Sequence, residues 1–162
     1  MKKFILIAFV LLLGACKEEV ARVGEPAPEI ATLSLQGQPV KLANWKGQNI
    51  YLNFWSAGCG ICIAEMKDLE RLSKDYQGKV AVVSVNVDPE EMSIDGILEK
   101  QGITYPVLRD SLRMTRERYR IIGTPTAFMI SPDGVIRKMF LGAQKPEALA
   151  TLFADTAKGS IN

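Results

Sequence analysis

Two cysteines separated by two residues, Cys59 and Cys62, constrain the fold of this chain more than any other feature. They lie where a mostly apolar segment, residues 49–55, predicts a buried strand and residues 59–77 predict a helix. One stripe of that helix has apolar-type side chains at three- and four-residue spacing: Cys62, Met66, Leu69, Leu72 and Tyr76. Because residues i and i+3 in the first turn of a helix lie close together, the two sulfurs can form a disulfide.

The start of a helix also changes the chemistry of a thiol. Its free N–H groups and the positive end of its dipole stabilise a thiolate on the first cysteine, which lowers a thiol pKa from about 8.5 toward about 3.5–7.5. The position therefore predicts that Cys59 is the exposed nucleophile. Cys62, one turn further and on the apolar stripe, is predicted to be the thiol that resolves a mixed disulfide.

The absence of histidine narrows what this pair can do. The chain has 162 residues, three cysteines and no histidine, so it cannot supply the roughly four ligands of a structural zinc site. Covalent haem attachment needs a histidine directly after the second cysteine, where this chain has Ile63. A structural disulfide stays open, because paired cysteines in exported proteins are most often staples, although so short a loop constrains the unfolded chain little.

The first residues predict an export signal rather than part of the fold. Lys2 and Lys3 precede an apolar run at residues 4–13. That run is too short for a membrane-spanning helix, which needs about 20 residues. Cys16 follows two small residues, and this arrangement resembles a bacterial lipobox, which implies a lipoprotein signal peptide over residues 1–15 and a lipid on Cys16. A plain secretory signal with an incidental cysteine is the alternative.

The rest of the sequence predicts one α/β domain. Residues 16–29 suit a lipidated cysteine with a short polar tether, and residues 30–162 suit the folded domain. Apolar periodicity and turn residues predict a hairpin at 30–42, strands at 80–87 and 105–108, helices at 89–100, 112–119 and 146–157, and a second hairpin at 126–141. This order predicts a central mixed β-sheet flanked by helices, with an added N-terminal β-hairpin.

Residues 53–66 resemble the active-site segment of the thioredoxin superfamily and, within it, of the TlpA/ResA-like membrane-anchored thiol–disulfide oxidoreductases. Four further segments are similar to that family: residues 23–28, 85–88, 123–126 and 131–134. The resemblance implies a thioredoxin-like fold and a redox-active Cys59–Cys62 disulfide that needs no metal and no organic cofactor. Where the family usually has tryptophan before the first cysteine, this chain has Gly58, a departure that bears on partner specificity and redox potential.

Glu65 is the acid that the family pattern places three residues after the second cysteine. It shares the helix side of Cys62, and burial there would raise its pKa and suit it to move the proton of Cys62. An ordinary solvated helix glutamate is the alternative. Asn53 stands where thioredoxin keeps a buried aspartate, so the resemblance assigns proton transfer to Glu65.

The resemblance also implies a substrate-binding surface around the cysteines. Thr124 and Pro125 match the family's cis-proline loop, which lies opposite the disulfide and leaves backbone groups free for an extended substrate. A trans proline at the start of an edge strand is the alternative. The predicted substrate-binding set is Trp55, Gly58, Gly60, Ile61, Thr124 and Pro125, although Trp55 also suits the core.

One uneven charge feature stands apart from the cysteines. It consists of five arginines: Arg109, Arg113, Arg116, Arg118 and Arg120. Most such runs are solvated faces, and Arg113 and Glu117 have the spacing of a helical ion pair. A docking patch for an acidic partner stays open.

These features predict a thiol–disulfide oxidoreductase on the periplasmic or extracytoplasmic face of a bacterial membrane, anchored by lipid on Cys16. The resemblance implies that it reduces protein disulfides with electrons from a membrane thiol donor, for example in cytochrome c maturation. We expect a monomer, and a formal charge of +2 gives no reason to expect nucleic acid. One alternative is a peroxiredoxin-like thiol peroxidase, for which Ser56 fits but Leu52 replaces a proline. The other is a non-catalytic lipoprotein with a structural disulfide.

Overall fold

The computed structural model describes residues 19–160, which form one sheet and four α-helices. The strands are β1 (Thr32–Ser34), β2 (Pro39–Val40), β3 (Asn49–Trp55), β4 (Val80–Asn86), β5 (Val107–Arg109), β6 (Thr126–Ile130) and β7 (Ile136–Leu141). The helices are α1 (Gly60–Asp75), α2 (Asp95–Gln101), α3 (Met114–Arg118) and α4 (Pro146–Ala157), with a 3-10 turn at Leu42–Trp45. The bounds of β3 and α4 are those predicted from the sequence.

The seven strands form a mixed sheet in the order β2-β1-β5-β4-β3-β6-β7. Strands β3, β4 and β5 are parallel, whereas β6, β7 and the N-terminal β1–β2 hairpin run antiparallel to their neighbours. The central strand β3 is buried from Ile50 to Trp55, as expected of an apolar run that is covered on both faces. The predicted α/β class, with a mixed sheet and an added N-terminal hairpin, is confirmed.

Apolar side chains fill a separate cluster on each face of the sheet. One cluster joins the sheet to α1, α2 and α4 through Met66, Leu98 and Phe153. The other joins it to the end of α3 and to the N-terminal segment through Tyr119 and Ile30. Because burying one large apolar side chain contributes about 1.5–3 kcal/mol, these two clusters hold the layers together.

Strand direction brings five loops to one edge of the sheet, which we call the carboxyl edge. The parallel strands β3, β4 and β5 end there, and β6, antiparallel to β3, begins there. Strand β7 ends there too, with Leu141 opposite Thr126. The five loops are residues 56–59, 87–94, 110–113, 119–125 and 142–145. Open α/β sheets bind ligands at this edge, and the predicted site residues meet here.

Helix α2 begins at Asp95 rather than at the predicted Pro89. The intervening residues form an irregular loop. Arg109, at the end of β5, donates a hydrogen bond to the carbonyl oxygen of Met92 in this loop at 2.6 Å. This contact joins the loop to the sheet.

The packed part of the chain begins before the predicted domain boundary. Ala21 donates its backbone N–H to the carbonyl oxygen of Arg118 at 2.8 Å, and Gly24 donates to that of Ile136 at 2.8 Å. These bonds give the N-terminal segment partners at the end of α3 and at the start of β7. The segment expected to be a tether, residues 16–29, therefore packs against the domain from Ala21 onward.

The predicted signal peptide, residues 1–15, and the predicted lipid on Cys16 lie outside the described residues. Both stay predictions. In the described part, residues 19–160, no helix is both long enough and apolar enough to cross a bilayer.

Candidate active site

Cys59 and Cys62 are joined by a disulfide at the start of α1. Their Cα atoms are 5.2 Å apart, which the first turn of a helix provides. Cys59 caps the helix, since its Sγ accepts a hydrogen bond from the backbone N–H of Cys62 at 3.2 Å. After reduction, the same N–H and the positive end of the helix dipole stabilise a thiolate on Cys59.

The two sulfurs differ in exposure. Cys59 is partly exposed, whereas Cys62 is completely buried in a cluster that also contains Trp55 and Met66. An incoming disulfide can reach only the exposed sulfur. The geometry thus places Cys59 for attack on a partner and Cys62 for attack on Cys59 from the interior.

Asp88, just beyond β4, fixes the loop that precedes Cys59. Its Oδ2 accepts hydrogen bonds from the backbone N–H of Ala57 at 2.6 Å and from Asn86 Nδ2 at 2.8 Å. The contact is made because β3 and β4 are parallel and end side by side. Our predictions from the sequence missed Asp88 as a site residue. The one signal for it was its place in residues 85–88, where the chain resembles the TlpA/ResA-like family.

The loop before β6 lies against the disulfide. The peptide bond between Thr124 and Pro125 is cis, as the resemblance implied, and Pro125 is buried. The carbonyl oxygen of Thr124 is 3.6 Å from Cys59 Sγ, and its hydroxyl is 3.1 Å from that of Ser56. Thr124 therefore lies beside the disulfide, where a bound polypeptide would meet the partly exposed Cys59. Pro125 is buried next to it, so its role in substrate binding stays a prediction.

Glu65 is buried on the second turn of α1, with 6% of its surface exposed. Its Oε1 accepts a hydrogen bond from the backbone N–H of Gln144, 2.8 Å away in the loop after β7. Burial raises the pKa of the Glu65 carboxyl, the Gln144 hydrogen bond opposes that rise, and the negative charge of Asp68 adds to it. The alternative of a solvated helix glutamate is wrong.

Glu70, the other buried glutamate of α1, has the opposite behaviour. Burial acts to raise the pKa of Glu70, but hydrogen bonds from Lys74 and Thr104 outweigh it and lower the pKa. Its carboxylate joins α1 to the loop before β5, with 2.8 Å from Oε2 to the Thr104 N–H. Of the two buried carboxyl groups on α1, only Glu65 is tuned toward the neutral form.

Two buried tyrosines lie within electrostatic range of Glu65. Burial is the main cause of the raised pKa of Tyr51 and of Tyr105, and the Glu65 charge raises both further. For the pKa of Tyr105 the Ser84 hydroxyl opposes the rise, and the Glu70 charge adds to it more than Glu65 does. These hydroxyl groups therefore stay protonated at neutral pH. Asn53, buried at the centre of β3, does not ionise. On this side of α1, Glu65 is thus the group suited to exchange a proton.

The remaining predicted substrate-binding residues divide by exposure. Gly58 and Gly60 are exposed, and Ile61 is 60% exposed, so all three can touch a partner. Trp55 has no exposed surface, and the prediction that it binds substrate is wrong. Its strand is central in the sheet and covered on both faces, so Trp55 packs in the core beneath the cysteines.

Three of the five arginines between residues 109 and 120 have structural partners. Each donates to a backbone carbonyl oxygen: Arg109 to Met92 at 2.6 Å, Arg116 to Ile121 at 3.3 Å and Arg118 to Glu29 at 2.7 Å. Arg113 and Arg120 are exposed. The expected ion pair between Arg113 and Glu117 is not among the salt bridges of residues 19–160.

The fold and this site define a thioredoxin-like thiol–disulfide oxidoreductase. The Cys59–Cys62 disulfide is its redox-active group, formed between one partly exposed and one buried cysteine at the start of a helix. Within residues 19–160, no group of three or more cysteine, aspartate or glutamate side chains is placed to hold a metal ion.

The chain belongs to the AhpC/TSA family, with a match over residues 23–139. It is 29% identical over 145 residues to the thiol–disulfide oxidoreductase ResA of Bacillus thuringiensis subsp. konkukian, covering 88% of this chain and 84% of that protein. It is 31% identical over 129 residues to the thioredoxin-like protein YneN of Bacillus subtilis, covering 78% and 75%.

A solved structure agrees with these relatives. The chain is similar to a protein from Chlorobium tepidum described as a thiol:disulfide interchange protein DsbE, with a TM-score of 0.77 and 27% identity, over 84% of this chain and 98% of that one. The thioredoxin-like fold and the ResA-like relationship implied by the sequence are confirmed.

Proposed function

We propose that this oxidoreductase reduces disulfide bonds in other proteins, with Cys59 as nucleophile, Cys62 as resolving thiol and Glu65 as proton acceptor. The observation that carries the proposal is the difference between the two sulfurs. Cys59 is partly exposed at a helix N-terminus beside the Thr124 carbonyl, whereas Cys62 is buried. A static staple needs no such difference.

The first step starts from the dithiol enzyme. The Cys59 thiolate attacks one sulfur of the substrate disulfide, and a new bond forms between that sulfur and Cys59 Sγ. The substrate S–S bond breaks, and its other sulfur leaves as a thiolate that takes a proton from water. The helix N-terminus favours this step because it keeps more of Cys59 ionised at neutral pH.

The second step uses the buried part of the site. Glu65 accepts the proton of Cys62, and the Cys62 thiolate attacks Cys59 Sγ. The mixed disulfide breaks, the second substrate sulfur leaves as a thiolate, and the Cys59–Cys62 bond forms. The substrate has gained the two electrons that the enzyme has lost. The raised pKa of Glu65 supports its role because it brings the acceptor closer to the pKa of a thiol.

Exposed apolar side chains around the disulfide support a polypeptide as the substrate. Ile61, Ile122 and Leu141 are 60%, 89% and 65% exposed, and all three lie at the carboxyl edge. Exposed apolar surface of this kind marks sites of protein interaction. A substrate segment that covers them would bring its disulfide to Cys59.

The proposed location is the extracytoplasmic face of a bacterial membrane, with a lipid on Cys16 as the anchor. The basic start, short apolar run and small residues before Cys16 support export and lipidation. The resemblance to TlpA/ResA-like proteins supports the reductive direction, a membrane thiol donor and a role such as cytochrome c maturation.

Replacing each cysteine separately tests the proposal. Cys59→Ser should abolish the reduction of a protein disulfide such as that of insulin, because the attacking sulfur is gone. Cys62→Ser should leave the attack intact and accumulate a mixed disulfide between Cys59 and the substrate, visible by mass spectrometry without reductant. Wild-type rates in both variants would contradict the assignment.

Two further measurements separate the alternatives. Rapid hydrogen peroxide consumption by the dithiol protein, together with negligible insulin reduction, would favour a thiol peroxidase. A Cys59–Cys62 reduction potential far below about −300 mV would favour a structural disulfide. Exchange with a glutathione buffer at moderate potential is the expected result.

A further inference from the structure

Two arginines at the carboxyl edge are left unpaired by the fold. Arg113 and Arg120 flank α3, and both are exposed. Among the five arginines between residues 109 and 120, the side-chain hydrogen bonds within residues 19–160 are made by Arg109, Arg116 and Arg118. The ion pairs of residues 19–160 involve none of the five. The two guanidinium groups are therefore free to bind a partner.

Both arginines are held in an unusual backbone conformation. Arg113 has φ 58° and Arg120 has φ 49°, and they are the two non-glycine residues with positive φ in the described part of the chain. This left-handed region costs free energy for any residue with a Cβ and favours glycine or asparagine. Strained residues of this kind concentrate at functional sites, so the pair deserves a functional explanation.

Each of these arginines stands beside a highly exposed apolar side chain. Leu112 is 73% exposed and directly precedes Arg113, and Ile122 is 89% exposed two residues after Arg120. They are the two most exposed large apolar side chains of residues 19–160. We call these four residues, Leu112, Arg113, Arg120 and Ile122, the arginine rim.

One end of the arginine rim adjoins the site. Ile122 lies two residues before Thr124, whose carbonyl oxygen is 3.6 Å from Cys59 Sγ. The other half of the rim lies in the loop after β5, at the same edge. Since Tyr119 and Ile121 pack in the cluster on the face away from α1, the part of the rim formed by Arg120 and Ile122 approaches the disulfide loop from that face. A polypeptide bound at Cys59 can extend across it.

The acidic side chains near the rim are too few to neutralise its positive charge. Glu117 lies on α3 between the two arginines, but no salt bridge of the described residues joins it to either. Glu90 and Glu91 lie in the loop after β4, which Arg109 binds through backbone carbonyl groups. Asp110, in the same loop as Arg113, is buried, and its carboxylate accepts hydrogen bonds from the backbone N–H groups of α3. Glu117 is then the one exposed acid between the two free arginines, which leaves a net positive surface.

We propose that the arginine rim docks a segment of the substrate protein in which acidic side chains stand next to apolar ones. The inference rests on the proposed disulfide reductase function. Guanidinium groups recognise carboxylates by charge-assisted hydrogen bonds, and Leu112 and Ile122 supply apolar area beside them. Exposed charges of this kind act mainly on association rate and on the choice of partner.

Two synthetic peptides test the docking surface. Both contain the same intramolecular disulfide, and one carries two glutamates where the other carries two lysines. The charged positions are three residues apart, because three extended residues span about 10 Å and the largely helical path from Arg113 to Arg120 covers about the same length. The measured quantity is the second-order rate constant for oxidation of the dithiol enzyme by each peptide.

The wild-type enzyme should react at least about fivefold faster with the glutamate peptide at low ionic strength. The preference should shrink in 1 M salt, where charges are screened beyond about 3 Å. Arg113→Gln/Arg120→Gln should abolish it, and Arg113→Glu/Arg120→Glu should reverse it. The matched control Lys79→Glu/Lys158→Glu changes two exposed charges at the opposite edge and should keep it.

The preference is the ratio of the rate constants for the two peptides, both measured on the same enzyme preparation. A variant that is partly unfolded lowers both rate constants equally, so the ratio is unaffected. Equal rates for both peptides with the wild-type enzyme would overturn the docking surface and leave the reductase function standing. The same holds if the control variant loses the preference as fully as the rim variant does. Reduction of neither peptide would overturn the reductase function and the docking surface together.

Discussion

The two sulfurs of the disulfide lie three residues apart in sequence and in opposite physical surroundings. Cys59 is partly exposed and borders polar backbone groups, the N–H of Cys62 and the carbonyl of Thr124. Cys62 has no exposed surface and packs among apolar side chains, with Glu65 one turn further along the same helix. The surroundings of the two identical thiols therefore determine which one is suited to attack the substrate and which one to resolve the mixed disulfide.

This difference has a chemical consequence. Burial disfavours the charged form of a thiol, whereas a helix N-terminus favours it. Cys59 can therefore attack a substrate without help, but Cys62 needs a group that takes its proton. Loss of that group should slow resolution alone, and it should be the largest effect that a change outside the cysteines produces.

Glu65→Gln should slow the release of the mixed disulfide by about 10²–10⁴-fold, the usual loss when a general base is removed. The first attack by Cys59 should keep its rate, since glutamine preserves the shape of the side chain. Stopped-flow quenching with mass spectrometry measures the two steps separately. The matched control is Glu70→Gln, which removes a buried carboxylate from the same helix and should leave resolution unchanged. Equal slowing in both variants would contradict the role of Glu65.

The raised pKa of Glu65 also predicts how resolution and stability vary with pH. Resolution should slow as the carboxylate takes a proton, at a pH above the usual value of 4.5. Because the folded state binds this proton more tightly, its stabilisation is complete below 4.5 and is lost as pH rises through the folded pKa. Glu65→Gln should therefore resist urea better than the wild type at neutral pH, with no advantage near about pH 4.

Much of the fold followed from local pattern. Strand β3 and helix α4 have the predicted bounds, because one is a continuous apolar run and the other begins with a proline in its first turn. Helix α2 was predicted six residues too early, because residues 89–94 form a loop, which Arg109 from a distant strand binds through backbone carbonyl groups. Contacts of that kind leave no mark in a local window of sequence.

The site divides in the same way. Cys59 was predicted from its place at the start of a helix, whereas Glu65 and the cis Thr124–Pro125 loop came from motifs that the chain shares with a known family. Asp88 was missed because its contact with Ala57 joins two loops that meet only after β3 and β4 pair. Trp55 belongs to the same family motif and was therefore predicted to contact the substrate. The assembled sheet buries Trp55 completely, so a substrate cannot reach it.

Asp88→Ala should loosen the loop that precedes Cys59. The Ala57 N–H and the Asn86 amide would lose their acceptor, which costs about 1–3 kcal/mol of unfolding free energy. The loosened loop should slow the attack of Cys59 on a protein disulfide by about tenfold, because the attacking sulfur is no longer held in place beside the bound substrate. Asp88→Asn keeps one acceptor oxygen and should recover most of both losses. If the two variants behave alike, the carboxylate does not position the loop.

Ile61→Ala should give the smallest effect. It tests whether the exposed apolar surface around Cys59 binds the substrate. The side chain is 60% exposed, so its truncation should change the unfolding free energy by less than about 0.5 kcal/mol. It should raise KM for a protein disulfide by about three- to tenfold through lost apolar contact, with kcat retained. Leu35→Ala, which truncates a 41% exposed side chain in the β1–β2 turn, is the matched control and should leave KM unchanged. An equal rise of KM in both variants would mean that any exposed apolar side chain helps to bind the substrate. A rise confined to Ile61→Ala means that the substrate lies on the surface beside Cys59, while Cys62 acts from beneath that surface.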